Sequence, residues 1–190
     1  ETQKEALEMV TNATDRLNAM ITNLLDVNAI ESGSINMLME RFDANSVAVN
    51  LKRDFTDYAN GKGISIQENF STPCYIKADK VLLYQVFENL VSNAIKFSPV
   101  NQGKMVYISL EELEGKIRFS VKDEGVGVPA QEMPKLFEKF QMLSARPTGD
   151  ENSTGLGLSI VKKYVEAMNG KTWCESEVKK GATFFVEFPV

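Results

Sequence analysis

Asn89, Asn93 and Lys96 recur at steps of four and three within Glu88-Asn-Leu-Val-Ser-Asn-Ala-Ile-Lys-Phe-Ser98, so a helix there would carry all three on one face. An asparagine carbonyl is a hard, neutral oxygen suited to Mg²⁺, which keeps several waters and shares phosphate oxygens. Lys96 adds a cation for a phosphate. Taken alone, the same face also reads as a solvated polar one. Two glycine-bearing motifs follow. Asp123-Glu-Gly-Val-Gly127 comes just after the apolar run Ile117-Arg-Phe-Ser-Val121. A carboxylate at a strand end can accept a hydrogen bond from an adenine amino group, and Gly125 and Gly127 would let backbone approach a ligand closely. Gly155-Leu-Gly-Leu158 stands where a loop enters a helix, and bare amides at a helix N-terminus form a phosphate site. Thr183, shortly after Gly181, offers a hydroxyl to a ligand. Phe137 and Phe140 read as packing for a hinge. Each motif singly also fits an ordinary turn or loop end; the order and spacing of the whole series carry the signal.

The elements that must position these residues can be read from periodicity. Residues 1–31 read as one long amphipathic helix, with Val10, Ala13, Leu17, Met20, Leu24 and Val27 on a heptad seam and Ile21 and Leu25 widening it. Ser32-Gly33 ends it. Such a stripe needs a partner, and a second chain is a better candidate than the helix's own domain. A short strand is expected over 35–42, then a helix over 47–60 with Ser46 as its cap. Strands follow at 64–70 and 74–77, and Asp79 starts a helix to Phe97. Hairpins are expected from 105–111 with 116–122, and from 171–178 with 182–188. A short helix is expected over 131–137 and another over 155–168. The polar stretch 142–154 has little to bury and reads as a mobile loop. The order predicts an α+β fold, a two-layer α/β sandwich with a mixed sheet covered by helices on one face and a long N-terminal helix. The boundary falls near Ser34, giving units 1–34 and 35–190.

Composition narrows the function classes. The chain has 190 residues, 43% hydrophobic and 25% charged, with a net charge of −5 and no histidine. The lack of a basic cluster argues against a nucleic-acid groove. No apolar run approaches the ~20 residues that span a bilayer. Cys74 and Cys174 read as free thiols rather than a disulfide, and a His/Cys metal site is excluded by count. Without a signal-peptide pattern, the expected location is the cytoplasm, a membrane anchor elsewhere in a full-length protein being compatible with this.

The motif series from Asn89 to Gly181-Ala-Thr-Phe184 resembles the ATP-binding catalytic domain of the sensor histidine kinases, over roughly Leu38 to Val190. That domain belongs to the wider family shared with gyrase, the Hsp90 chaperones and MutL. The resemblance implies ATP and Mg²⁺ as cofactors, with Asn93 as the metal ligand and Asn89 and Lys96 serving the phosphates and catalysis. It implies that Asp123 reads adenine and that Phe97, Val128 and Leu158 wall the pocket. Gly125, Gly127, Gly155, Leu156, Gly157 and Thr183 complete the set, and Met142 to Thr154 becomes an ATP lid, disordered without nucleotide.

The water-splitting members of the wider family place a glutamate where Asn89 stands, and asparagine cannot accept a proton. Glu88 is adjacent but lies about 100° round the helix. Transfer to a supplied nucleophile therefore fits better than ATP hydrolysis, and better than a regulator in which ATP only orders the lid. Leu24-Leu-Asp-Val-Asn-Ala-Ile-Glu-Ser-Gly33 is similar to the end of the second helix in the dimerisation and phosphotransfer hairpin, whose acceptor histidine lies on the first helix. The implied partners are that histidine-bearing hairpin helix, a response regulator and a second copy through residues 1–31, with neither nucleic acid nor membrane insertion by this chain. In the implied scheme this chain alone does not autophosphorylate on histidine. Two departures stand out. Met142 occupies the place of an arginine that many relatives aim at the γ-phosphate, leaving Arg146 as a substitute from the lid. Glu124 replaces the commoner asparagine in the first glycine box.

Overall fold

The computed structural model describes residues 36–70, 73–141, 143–149 and 153–190, and before them Leu7, Val10, Thr11, Ala13, Thr14, Leu17, Asn18, Ile21, Thr22, Leu25, Asn28, Ala29 and Ser32. The chain divides into two compact units, Glu1–Ile35 and Asn36–Val190. In the first, every described residue from Leu7 to Ala29 is helical. Thr11 and Thr14 turn their hydroxyls back onto the carbonyls of Leu7 and Val10, each at 2.9 Å. Leu7, Val10, Leu17, Ile21 and Leu25 are exposed. Met20, Leu24 and Val27 of the expected seam, and Gly33 at its end, lie outside the described residues.

The second unit begins with β1 (Met39–Asp43), α1 (Asn45–Gly61), β2 (Ser65–Phe70), β3 (Tyr75–Asp79) and α2 (Lys80–Phe97). It continues with β4 (Met105–Leu113), β5 (Lys116–Asp123), a 3₁₀ turn (Met133–Lys135), α3 (Gly157–Ala167), β6 (Lys171–Glu177) and β7 (Gly181–Pro189). Two sheets result. β1 and β3 pair antiparallel, and a five-stranded sheet runs β2-β4-β5-β7-β6. Only the β2–β4 pair of that sheet is parallel, so the sheet is mixed.

Period-two alternation decides which face the helices cover. Val106, Ile108 and Leu110 of β4, Ile117, Phe119 and Val121 of β5, and Phe184, Val186 and Phe188 of β7 are all buried. Against them packs the apolar face of α2, with Leu83, Val86, Phe87, Leu90, Val91 and Ala94 buried. The Phe87 and Phe119 rings meet at a centroid distance of 4.1 Å. α2 starts where Asp79 accepts hydrogen bonds from the amides of Val81 (2.9 Å) and Leu82 (3.0 Å), satisfying two donors that the first turn would otherwise leave bare.

The structure departs from the local sequence pattern in three places. Ser46 does not cap α1: the helix starts one residue earlier and Ser46 donates back to the Asp43 carbonyl at 2.7 Å. The expected helix over 131–137 contracts to the Met133–Lys135 turn, where Pro134 leaves no amide to propagate it. The strand expected over 35–42 forms as Met39–Asp43, in register with β3. Cys74 is buried, Cys174 is half-buried and both are free thiols. Burial pushes the Cys174 thiol up to about 12, with the carboxylates of Asp123 and Glu175 adding to the effect. Among the described residues, no helix is long and apolar enough to cross a membrane.

Candidate functional site

A cavity of about 310 Å³ is bounded by α2, the end of β5, β7, the start of α3 and the loop before it. That volume is at the lower end of the range for small-molecule sites. The alternation that buries Ile117, Phe119 and Val121 continues one step to Asp123 and carries its carboxylate to the same covered face. Asp123 is only 4% exposed. Its Oδ1 accepts from the amides of Gly125 (2.8 Å) and Ala182 (3.2 Å), so Oδ2 is the oxygen left for the cavity that the residue lines. Burial pushes the carboxyl up to about 6, and the two amide donors pull the other way without winning. A group so held is an acceptor in a pocket that is otherwise mostly apolar, walled by Phe97, Val128, Leu136, Leu158 and Phe184.

The glycines of the first box serve a different neighbour from the one expected. A Cβ on Gly125 would fall 2.4 Å from the Phe97 carbonyl oxygen, and one on Gly127 would fall 2.2 Å from that of Glu177. Gly127 also has φ +70°, a left-handed conformation that costs other residues energy. These positions are filled by the protein's own backbone, which crosses here: Val126 donates to Phe97 O (3.4 Å) and Lys179 donates to Val126 O (2.8 Å). Val128 donates to Ser176 Oγ (2.8 Å), which in turn donates to Gly181 O (2.7 Å). The loop is thus stitched to α2 and to the β6–β7 hairpin. The departure at Glu124 also has a structural partner, because its carboxylate accepts from the first amide of β4, Met105, at 3.2 Å.

Of the residues singled out by sequence, Asn93, Phe97, Asp123, Gly127, Val128, Gly155, Gly157 and Leu158 are brought together on the cavity wall. Gly125 supports Asp123 from behind. Asn89 is not on the wall. Its amide nitrogen donates to Gln85 O (2.9 Å), and its Oδ1 lies 2.6 Å from where a Gly157 Cβ would be. Asn89 Oδ1 therefore lies against the start of α3, and a side chain at position 157 would require it to shift. Lys96 is half-buried and off the wall, one turn beyond Asn93. Leu156 is buried, and its carbonyl opens the α3 ladder by accepting from Ile160 N (3.0 Å). Thr183 is not on the wall because Ala182 and Phe184, its neighbours on β7, are, and successive strand residues face opposite ways. Phe140 does not pack a hinge through its ring, which is 64% exposed. The hinge is a backbone contact: Gly155 lies so close to Gln141 that a Cβ there would be 2.8 Å from its carbonyl oxygen.

The sequence reading put Leu143, Ala145 and Pro147 in the lid without assigning them to the wall, and it missed Leu136, Ala182 and Phe184; all six line the cavity. The alternation in β7 was a usable signal for Ala182 and Phe184. Arg146 also reaches the wall, while Met142 lies outside the described residues. The described part of the lid is held at Ser144 and Thr148, whose amides donate to the Glu132 carboxylate (3.1 Å to Oε2) and to Lys96 O (2.9 Å).

The family model described as histidine kinase-, DNA gyrase B-, and HSP90-like ATPase matches residues 78–190. The autoinducer 2 sensor kinase/phosphatase LuxQ of Vibrio vulnificus is 30% identical over 190 residues, covering 97% of this chain and 22% of that protein. The structure of full-length ShkA in complex with AMPPNP is similar with a TM-score of 0.85 at 27% identity, over 100% of this chain and 39% of that one. The histidine kinase ThkA in complex with the response regulator protein TrrA gives a TM-score of 0.77 at 25% identity, over 100% of this chain and 52% of that one. The chain belongs to the histidine kinase-, DNA gyrase B- and HSP90-like ATPase family. Within it, the matched residues 78–190 belong to an ATP-binding catalytic domain of the sensor histidine kinase type. The chain spans about a fifth of the length of the curated relatives it matches.

Proposed function

We propose that this chain is the phosphoryl-donating part of a sensor histidine kinase. It holds Mg-ATP in the cavity and presents the γ-phosphoryl group to a histidine outside these 190 residues, for relay to a response regulator. The observation that carries the reading is the choice of carboxylates. Among the described residues lining the cavity, Asp123 is the only one, and it is held by backbone amides at the end of β5. Glu88 is exposed and Asn89 is turned toward Gln85 and Gly157. Among the described residues, no carboxylate besides Asp123 lines the cavity to serve as a base for water. Such a site works by positioning the donor and neutralising its charge for an incoming nucleophile.

The residues present fit the implied cofactors. Asp123 Oδ2 suits the adenine amino group, and Phe97, Val128 and Leu158 suit the flat apolar base. Among the described residues no cluster of three or more acidic, Cys or His side chains gathers for a metal. Magnesium held by the Asn93 carbonyl together with phosphate oxygens and water needs no such cluster; it would neutralise phosphate charge. Lys96 and Arg146 are the cations nearest in sequence to the α2 and lid walls. Residues 1–31 would belong to a dimerisation hairpin, where the exposed Leu7, Val10, Leu17, Ile21 and Leu25 would meet a second copy and a histidine-bearing helix in the cytoplasm.

The test is to supply the histidine-bearing hairpin of the full-length protein in trans with γ-labelled ATP. Label on the hairpin, lost on Asp123→Asn at limiting ATP, supports the proposal. ATP binding with no labelled hairpin leaves a nucleotide-binding regulator and removes the kinase reading.

A further inference from the structure

Lys62, at the C-terminal end of α1, is 7% exposed although it is a lysine. Its Nζ donates to Ile95 O (2.9 Å), Lys96 O (3.2 Å) and Thr148 Oγ1 (3.0 Å). An ammonium has three donors, and these acceptors come from two separate pieces of chain. Two are carbonyls in the last turn of α2, the end of a helix that favours a cation. The third belongs to the lid. Thr148 closes the joint from its own side: its amide donates to Lys96 O at 2.9 Å, and its hydroxyl donates to Ser98 O with Lys96 O at 3.1 Å. A second tether of the described lid is Ser144 N on Glu132. Between the two tethers stand Ala145, Arg146 and Pro147, which line the cavity.

We propose that Lys62 is a positioning residue for the nucleotide lid. It latches Thr148 to the C-terminus of α2, so that Ala145 to Pro147 are held against the cavity before nucleotide arrives. Lys62 itself is not on the cavity wall and acts through Thr148. Binding then orders less chain, and ordering cost is what a held loop saves. The effect on affinity rests on the ATP reading given above; the effect on the lid of the empty protein does not.

The experiment compares the 190-residue chain with Thr148→Val, Lys62→Met and the double variant by amide exchange without nucleotide and by Mg-ATP titration. Thr148→Val leaves Lys62 on the two α2 carbonyls, so it tests the lid side of the latch without emptying the buried amine's site. Each single variant is expected to speed exchange across 143–149 and to weaken Mg-ATP by roughly threefold to tenfold. The double variant should be no worse than Lys62→Met alone, because one latch is removed only once. Wild-type exchange and affinity in Thr148→Val would overturn the proposal, as would additive losses in the double variant. A lower melting temperature in Lys62→Met with unchanged lid exchange would likewise reduce Lys62 to a structural role. If the wild type takes up no nucleotide yet Thr148→Val still speeds lid exchange, the latch stands and the ATP reading falls.

Discussion

At the Asp123 end of the cavity the wall is made of sheet and crossing backbone; at the lid end it is loop held by two tethers. Asp123 is fixed by the pleat of β5, by two amide donors and by a glycine loop stitched to α2 and the β6–β7 hairpin. The lid is fixed at Ser144 and Thr148, and of its wall residues Arg146 is exposed. The difference separates two tasks. Recognition of a rigid base needs an acceptor whose position does not vary. Entry and release of a charged tail need a wall that can open, and loops with few buried contacts are where proteins open first.

The contrast can be broken most forcefully at Gly127. A Cβ there would overlap the Glu177 carbonyl oxygen at 2.2 Å, and φ is +70°. Gly127→Val should cost about 3–5 kcal/mol in denaturant unfolding. A loss below about 1 kcal/mol would mean that the crossing is not rigid.

Asp123 comes next, and its sign is informative. The folded carboxyl lies near 6, above its ordinary 3.8, so burial favours the neutral form. Its contribution to stability is full below 3.8 and is lost as pH rises through about 6, worth roughly 3 kcal/mol by neutral pH. Nucleotide binding should show the opposite trend, weakening as pH falls through about 6 and the acceptor is protonated. Asp123→Asn should weaken ATP roughly tenfold to hundredfold at pH 7.5 without destabilising the empty protein. It should also remove wild type's stability change between pH 4 and 6. A variant that loses stability and keeps its ATP affinity would place Asp123 in the scaffold instead.

Asn93→Ala should cost about tenfold in ATP affinity with Mg²⁺ and far less in EDTA. Equal losses with and without the metal would contradict its role as ligand. The smallest effect belongs to the lid. Arg146→Ala should change unfolding by less than about 0.5 kcal/mol and weaken ATP by about threefold, more at low salt than at high. A salt-independent loss would point to packing rather than charge.

Much of the Asp123 end was legible in the chain. Alternation over Ile117, Phe119 and Val121 names the covered face, and one more step names Asp123. The helix of Asn93 and Phe97 follows from its apolar spacing and from Asp79 as its cap. Thr183 was misplaced although the same alternation, applied to Ala182 and Phe184, puts it on the other face. The glycines were found by pattern, but their contacts with Phe97 and Glu177 were not, since those residues are far from them in sequence. Helical spacing put Asn89 on the Asn93 face, but it gives the face and not the partner: the Asn89 amide donates to Gln85 O at 2.9 Å.

The sequence by itself determined the elements, the family and part of the cavity wall, because periodicity and short glycine motifs are local properties of a chain. The tertiary structure alone decided which oxygen of Asp123 is left for a ligand, why three glycines must be glycines, and that Lys62 meets Thr148. Those facts depend on contacts between segments tens of residues apart, where close packing and the need to satisfy every buried donor select one arrangement from many.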